Sequence, residues 1–398
     1  MNYTPSFSEL VGDEDEFFRE YFNKKPLLRR GVLTERARDI LSARDLDDLL
    51  HSEVIRPPHI AVTKAGMLVH GRTYTSEMRV QREYIADRVI PERVIEHFKT
   101  GATITWNSLN HIKPNIRQLT SMLSEKFAGR SDAVAFVTPA GRRGFRPHHD
   151  SVDLFIIQLE GTKDWQVWSP PEVRKGDAAW FELEELGEPA VTVRLEPGDV
   201  LYLPYNSPHV AAANDAISIH LSVMVRPRRW SDLLQDLVKQ VTQDNPEFWG
   251  YPHLSVDNDG FAEELVRNLS SLAKNLGDLD AAKAIQSLRE EPEVKEGSKF
   301  SSYFADQVRV DELAPGSLVV RDFRTDIDFM PSDEQDAPTV QVSVNGSVFA
   351  FPRPVAEELR AMGEQTRQTD TFITGAPGHE NTSVTRTLLR LGVLKLVG

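Results

Sequence analysis

Two histidines and an aspartate stand together in "RPHHDSVDLF", residues 146–155. Imidazole and carboxylate are the nitrogen and oxygen donors that first-row transition metals take, and the chemistry depends on how many of them face one point. In an extended strand residues i and i+2 share a face. The spacing therefore predicts His148 and Asp150 as a ligand pair, with His149 turned away, either into the protein or beside the site. A set of two histidines and one carboxylate needs one further imidazole and leaves open positions for substrate and O2. "LEPGDVLYLPYNSPHVAAA" (195–213) offers it: Pro197, Gly198 and Asp199 turn into a strand, Pro204 ends that strand, and His209 follows. A lone His-x-Asp is a weak signal, and a lone histidine is more commonly a satisfied core residue. The joint placement of His148, Asp150 and His209 in a β context carries the metal reading.

A lysine narrows the chemistry further. In "LEGTKDWQVW" (159–168) Gly161 reads as a turn, and Lys163 opens the next strand on the face of Trp165 and Val167. A lysine beside a turn is ordinarily solvated. Turned inward among apolar neighbours it is costly without an anion. A dicarboxylate supplies that anion. A 2-oxo acid would place its keto-acid end on two of the metal's open positions while Lys163 pairs with the distal carboxylate. The turn "GRRGFR" (141–146) falls near the mouth of such a site, where Arg142, Arg143 and Arg146 would either be solvated or meet acidic parts of a partner or cosubstrate. The acidic "FELEELGE" (181–188) is suited to a basic target.

The elements that must position these residues read as strands. "AVAFVT", "DLFIIQL", "KDWQVW", "VTVRL", "DVLYLP" and "ISIHLSVMV" are short, β-branched or aromatic, and separated by glycine and proline. No helix of usable length interrupts them apart from the insert "WFELEELGEP", which favours an antiparallel barrel or sandwich over βαβ units. After "RPRRW" (226–230) the period changes. Trp230, Leu233, Leu234, Leu237, Val238 and Val241 mark an amphipathic helix with Ser231 as its expected N-cap. Phe261, Leu265, Leu269, Leu272 and Leu276 mark a second helix, with Gly277 as its expected stop, and a third is expected over 281–289. So few helices enclose no core of their own, so they should pack on the barrel or on a second copy. The last hundred residues begin with a hairpin, "VQVSVNGSVFAF" (340–351), turning at Asn345-Gly346. A helix around 354–363, a helix over "TSVTRTLLRL" (382–391) opened by Thr382 or Ser383, and the strand "VLKLV" complete a winged-helix-like order. The second of these helices carries only Arg386 and Arg390 as basic residues, which disfavours DNA contact.

Composition sets the outer bounds. The 398 residues contain no cysteine, so a metal must sit on nitrogen and oxygen ligands, and the chain suits a reducing cytoplasm. The net charge of −14 disfavours a nucleic-acid binder working by bulk charge and is compatible with a basic protein or peptide partner. No secretory leader pattern and no apolar stretch long enough to span a bilayer is visible, so a soluble chain without membrane contact is expected.

"AFVTPAGRRGFRPHHDSVDLFIIQLEGTKDWQVW", "LEPGDVLYLPYNSPHVAAA" and "ISIHLSVMV" together resemble the JmjC ribosomal oxygenases, which include bacterial arginyl hydroxylases and eukaryotic histidyl hydroxylases of ribosomal proteins. The early "FFREYFNKKPLLRRG" (17–31) resembles their entry segment. The resemblance implies a mainly β fold with helices: a JmjC/cupin double-stranded β-helix over 1–228, a helical dimerisation region over 229–298 and a winged-helix-like domain over 299–398. It implies His148, Asp150 and His209 as Fe(II) ligands, with Lys163, and less directly Ser222, as contacts to the cosubstrate 2-oxoglutarate. The activity it implies is O2-dependent hydroxylation of an arginine or histidine side chain, in a ribosomal protein or another protein or peptide, by a homodimer. His220 departs from the asparagine usual in the bacterial enzymes and leaves the target residue open. Alternatives on the same scaffold are a hydroxylase of peptide natural products or small molecules and a non-catalytic cupin-type binding module.

Overall fold

The computed structural model describes residues 3–142, 144–174, 178–214, 216–226, 228–252, 259–280, 282, 284, 303–310, 313–314, 316–322, 325, 327–330, 337–362, 367–368 and 381–397. Contacts divide the chain into two units, Met1–Gly297 and Ser298–Gly398.

The first unit is a pair of antiparallel sheets built from β1 (Leu27–Arg29), β2 (Ile60–Lys64), β3 (Met67–Leu68), β4 (Thr75–Val80), β5 (Glu83–Val89), β6 (Thr103–Trp106), β7 (Arg130–Thr138), β8 (His148–His149), β9 (Asp153–Glu160), β10 (Lys163–Val167), β11 (Ala179–Trp180), β12 (Val191–Leu195), β13 (Val200–Leu203), β14 (His209–Ala213) and β15 (Ser218–Arg226). The larger sheet runs β1-β13-β9-β15-β7-β6-β2-β3 and the smaller β11-β8-β14-β10-β12; β4 and β5 form a hairpin apart. All six sequence-read strands are present, because each is an apolar run that can be buried and each is bounded by a turn former.

The central strands of the larger sheet are buried on both faces, so they read as continuous apolar runs, yet period two still sorts their side chains. Phe155, Ile157 and Leu159 of β9, Val200 and Tyr202 of β13, and Ile219, Leu221, Val223 and Val225 of β15 point outward. There they meet N-terminal helical residues such as Phe7, Leu10 and Phe17, and Leu119 and Phe127 of the helix Pro114–Phe127. Edge-on aromatic pairs knit this layer, including Phe17 on Tyr202 at 4.9 Å and Phe127 on Phe155 at 5.8 Å between centroids. The alternate residues Leu154 and Ile156, with Leu201 and Leu203, face the smaller sheet and meet Trp165, Val167, Val193 and Leu195. Each fully buried aliphatic or aromatic side chain contributes about 1.5–3 kcal/mol, so two such layers on one sheet hold it firmly. The inward half of β15 carries His220, Ser222 and Met224, which places polar groups inside the sandwich.

The turn from β9 to β10 is fixed by Gly161. Its φ is +62°, and a Cβ there would lie 2.0 Å from the Ile217 carbonyl oxygen. Gly161→Ala is therefore expected to cost at least about 3 kcal/mol, from left-handed strain together with backbone overlap. A urea titration would show this as a lowered midpoint, and an unchanged midpoint would refute the close approach.

Helices Trp230–Asp244 and Asp259–Gly277 follow the barrel, with two corrections to the expected ends. The first is capped at Arg229, whose N–H donates to the Asp232 carboxylate at 2.9 Å, so Ser231 lies inside the helix. Gly277 is the last residue of the second helix and does not sit beyond it as a stop. The third helix expected over 281–289 lies almost wholly outside the described residues. The insert "WFELEELGEP" forms only the end of β11 and one 3-10 turn, Leu183–Glu185, since Gly187 and Pro189 leave no room to propagate.

The second unit has its own core, with Val319, Val342, Val355, Leu359, Leu388 and Val393 among its buried residues. It contains the hairpin Thr339–Val344 and Ser347–Pro352, turning at Asn345 (φ +49°) and Gly346 (φ +81°) as a type I′ turn requires. Helices Arg353–Ala361 and Asn381–Arg390 and strand Leu394–Leu396 follow in the order read from the sequence. The second helix starts at Asn381, which puts Thr382 and Ser383 in its first turn and not ahead of it.

Candidate metal centre and acid pocket

β8 and β14 are neighbours with His148 opposite His209, and the imidazole rings lie 4.4 Å apart between centroids. β8 ends at His149, so Asp150 sits in the loop that follows it, yet its carboxylate still turns to the same side as His148. Asp150 Oδ2 lies 3.9 Å from His148 Nε2 and 3.8 Å from His209 Nε2. One ligand atom from each of the three side chains falls within 4.8 Å of the others. Both rings are oriented locally: His148 Nδ1 lies 2.7 Å from the Arg146 carbonyl and His209 Nδ1 lies 3.0 Å from the Ser207 carbonyl. A carbonyl only accepts, so Nδ1 carries the proton in each bond and the Nε2 lone pair of the neutral ring faces Asp150. Burial holds His209 neutral, its pKa lowered to about 4.

Two lone pairs and one carboxylate thus converge at distances too long for hydrogen bonds among themselves. Nitrogen and oxygen donors in this number, on one side of an opening, fit a divalent first-row metal with free positions. The opening leads into a cavity of about 290 Å³ lined by Phe136, Phe145, Leu154, Lys163, Trp165, Trp180, His220 and Ser222, among others.

Lys163 is 2% exposed, on the inward face of β10 with Trp165 and Val167. Its Nζ donates to Thr138 Oγ1 at 3.2 Å and lies 3.4 Å from His220 Nδ1. Among the described residues no carboxylate forms an ion pair with it. Burial accordingly lowers its pKa to about 7. His220 is pushed well below the ordinary histidine value by burial and then by the Lys163 charge. Its ring stacks on Phe136 at 4.8 Å and meets Trp165 edge-on at 5.5 Å. Trp165 Nε1 is buried with no hydrogen-bond partner among the described residues, and Ser222 is buried in the same lining. At the Lys163 end the buried ammonium group and the Trp165 N–H have no anionic partner among the described residues, a deficit that a bound organic acid would remove.

The sequence-read residues therefore converge: His148, Asp150 and His209 at one place, with Lys163 from the smaller sheet and Ser222 from the larger lining the same cavity. His149 faces the other way, 3% exposed, with its ring 5.3 Å from that of Phe181. Arg142 and Arg146 are exposed, and Arg143 lies outside the described residues. Sequence reasoning missed Thr138, Trp180 and Asn206. Trp180, 58% exposed, pairs with His148 across β11 and β8, with its ring 5.0 Å from the imidazole. An aromatic residue opening an acidic insert is the only signal it gave.

Residues 107–233 match the family described as "JmjC domain". Over this stretch the chain is similar to the JmjC family. Relatives include the "Bifunctional lysine-specific demethylase and histidyl-hydroxylase NO66" of Dictyostelium discoideum, 28% identical over 287 residues, 67% of this chain and 54% of that protein. "Ribosomal oxygenase 1" of Gallus gallus is 31% identical over 237 residues, 58% of this chain and 38% of that protein. The chain spans only about half, or less, of the length of these curated relatives. A solved structure of YcfD, described as a ribosomal oxygenase from Escherichia coli, aligns over 100% of both chains at 17% identity with a TM-score of 0.48.

Proposed function

We propose that this chain is an Fe(II)- and 2-oxoglutarate-dependent hydroxylase of a protein side chain. The observation that carries the reading is one cavity with two complementary ends: a three-donor metal cluster at His148, Asp150 and His209, and a buried lysine, Lys163, with no anion of its own. His148, Asp150 and His209 would hold the metal. Fe(II) bound there supplies the redox chemistry that couples decarboxylation of 2-oxoglutarate to insertion of one O2 oxygen into a C–H bond. Lys163 would pair with the distal carboxylate of 2-oxoglutarate, Thr138 Oγ1 holding its ammonium group, and Ser222 would line the same acid. Phe136, Phe145, Leu154 and Met224 keep water out of the space where the acid and the target carbon meet.

The names "Ribosomal oxygenase 1" and "histidyl-hydroxylase" among the relatives support a ribosomal protein as substrate and a histidine side chain as target, with arginine the alternative target that the sequence resemblance implies. We assign the JmjC catalytic domain to 1–228, a helical dimerisation region to 229–298 and a winged-helix-like domain to 299–398. The homodimer is supported by apolar residues left exposed on the two long helices: Leu234 at 54%, Leu265 at 45% and Leu269 at 55%.

The test is succinate release from 2-oxoglutarate by anaerobically Fe(II)-loaded protein once O2 is admitted, with and without host lysate. Lysate-stimulated turnover that is lost in His209→Ala and Lys163→Ala, with a one-oxygen mass gain on a lysate peptide, is the expected result. Full turnover in either variant would sink the assignment.

A further inference from the structure

Asn206 occupies the loop between β13 and β14 with φ +62° and no exposed surface. Glycine meets a left-handed backbone more readily than asparagine does, and it would bury no amide. The side chain therefore has a task of its own. Asn206 Nδ2 donates to the Asp150 carbonyl at 3.1 Å and lies 3.1 Å from His149 Nδ1, and the Asn206 backbone N–H also donates to the Asp150 carbonyl at 3.1 Å. Its Oδ1 is buried with no partner among the described residues, so the side chain is kept for what Nδ2 does. With the amide oriented by a carbonyl that only accepts, His149 Nδ1 must be the acceptor, which fixes the neutral ring as its Nε2–H tautomer. One residue thus joins the loop that leads into His209 to the backbone of Asp150 and to the histidine just before it.

We propose that Asn206 and His149 form a positioning clamp that holds the Asp150 carboxylate toward His148 and His209 and so sets the affinity of the metal site. The inference rests on the metal reading above. It gives the turned-away histidine a function: His149 anchors the amide that anchors the ligand loop. Neither residue belongs to the three-donor cluster; both act through Asp150.

The experiment is Co(II) binding to the full chain, followed by equilibrium dialysis and by the visible absorption of the bound ion, beside thermal melting without metal. Asn206→Gly keeps the left-handed backbone and its N–H bond to Asp150 and removes only the amide. His149→Phe keeps a ring against Phe181 and removes the acceptor. Each is expected to weaken Co(II) binding about 10- to 100-fold and to alter the absorption band. The double variant is expected to bind about as weakly as the weaker single one, because both remove one device. Should Asn206→Gly not fold, His149→Phe reads out the same clamp. A lowered melting temperature with unchanged Co(II) affinity in the single variants would mean a merely structural role and would overturn the clamp. Independent, additive losses would overturn the coupling. Absence of Co(II) binding by the unaltered chain would overturn the clamp and the proposed function together, whereas a tight-binding unaltered chain with indifferent variants would overturn the clamp alone.

Discussion

Asp150→Ala is expected to leave the chain folded while lowering Fe(II) affinity by at least about 100-fold and turnover by about 1000-fold or more. The carboxylate is the only anion in the three-donor cluster, so its loss leaves two neutral imidazoles facing a doubly charged ion. Removing a ligand costs more than the 10- to 100-fold typical of removing a ligand's own hydrogen-bond partner. The fold survives because the hydrogen bonds from Asn206 go to the Asp150 backbone carbonyl, which alanine retains. Anaerobic equilibrium dialysis against Fe(II), with melting followed by circular dichroism, separates the two effects. Retained affinity would remove Asp150 from the ligand set.

Lys163→Met is expected to move stability and cosubstrate binding in opposite directions. Without an anion, a buried ammonium group surrounded by Trp165, Phe136 and His220 is a cost to the fold, and replacing it with an apolar side chain of similar length stabilises the ligand-free chain by about 1–4 kcal/mol. The same change removes the partner of the distal carboxylate, and the KM for 2-oxoglutarate should rise by about 100-fold or more. The pH dependence follows from the lowered lysine pKa. Between about pH 7 and the unfolded value near 10.5 the unfolded chain holds a proton that the folded chain does not, so the stability of the ligand-free chain rises with pH through this window. Below about pH 7 the full burial penalty is present. Melting temperatures of the lysine and methionine forms should therefore converge as pH rises. A constant gap between them would show that Lys163 is not desolvated.

The strands were legible because burial on both faces writes itself into the chain as uninterrupted apolar runs such as "DLFIIQL", and glycine and proline mark where they stop. His148, Asp150 and His209 were legible because their residue types are rare in such a setting, although β8 turned out only two residues long. Lys163 was legible as a charge in an alternating strand. Helix ends were not, since Ser231 and Asp232 both suit a first turn, and the choice falls to the hydrogen bond that Asp232 makes back to Arg229. Asn206 was out of reach for a different reason. In "LPYNSP" it looks like an ordinary turn residue, and its role depends on His149 and Asp150, which only the folded chain brings beside it.

The alternation along β15 has a consequence for how such a protein changes over time. Ile219, Leu221, Val223 and Val225 are committed to the helices outside, while His220, Ser222 and Met224 look only into the cavity. The strand thus carries two interleaved instructions that can be rewritten separately. Substitutions at the even positions retune which acid or side chain the cavity accepts while the odd positions keep the sheet in place, so divergence in chemistry does not have to pass through loss of the fold.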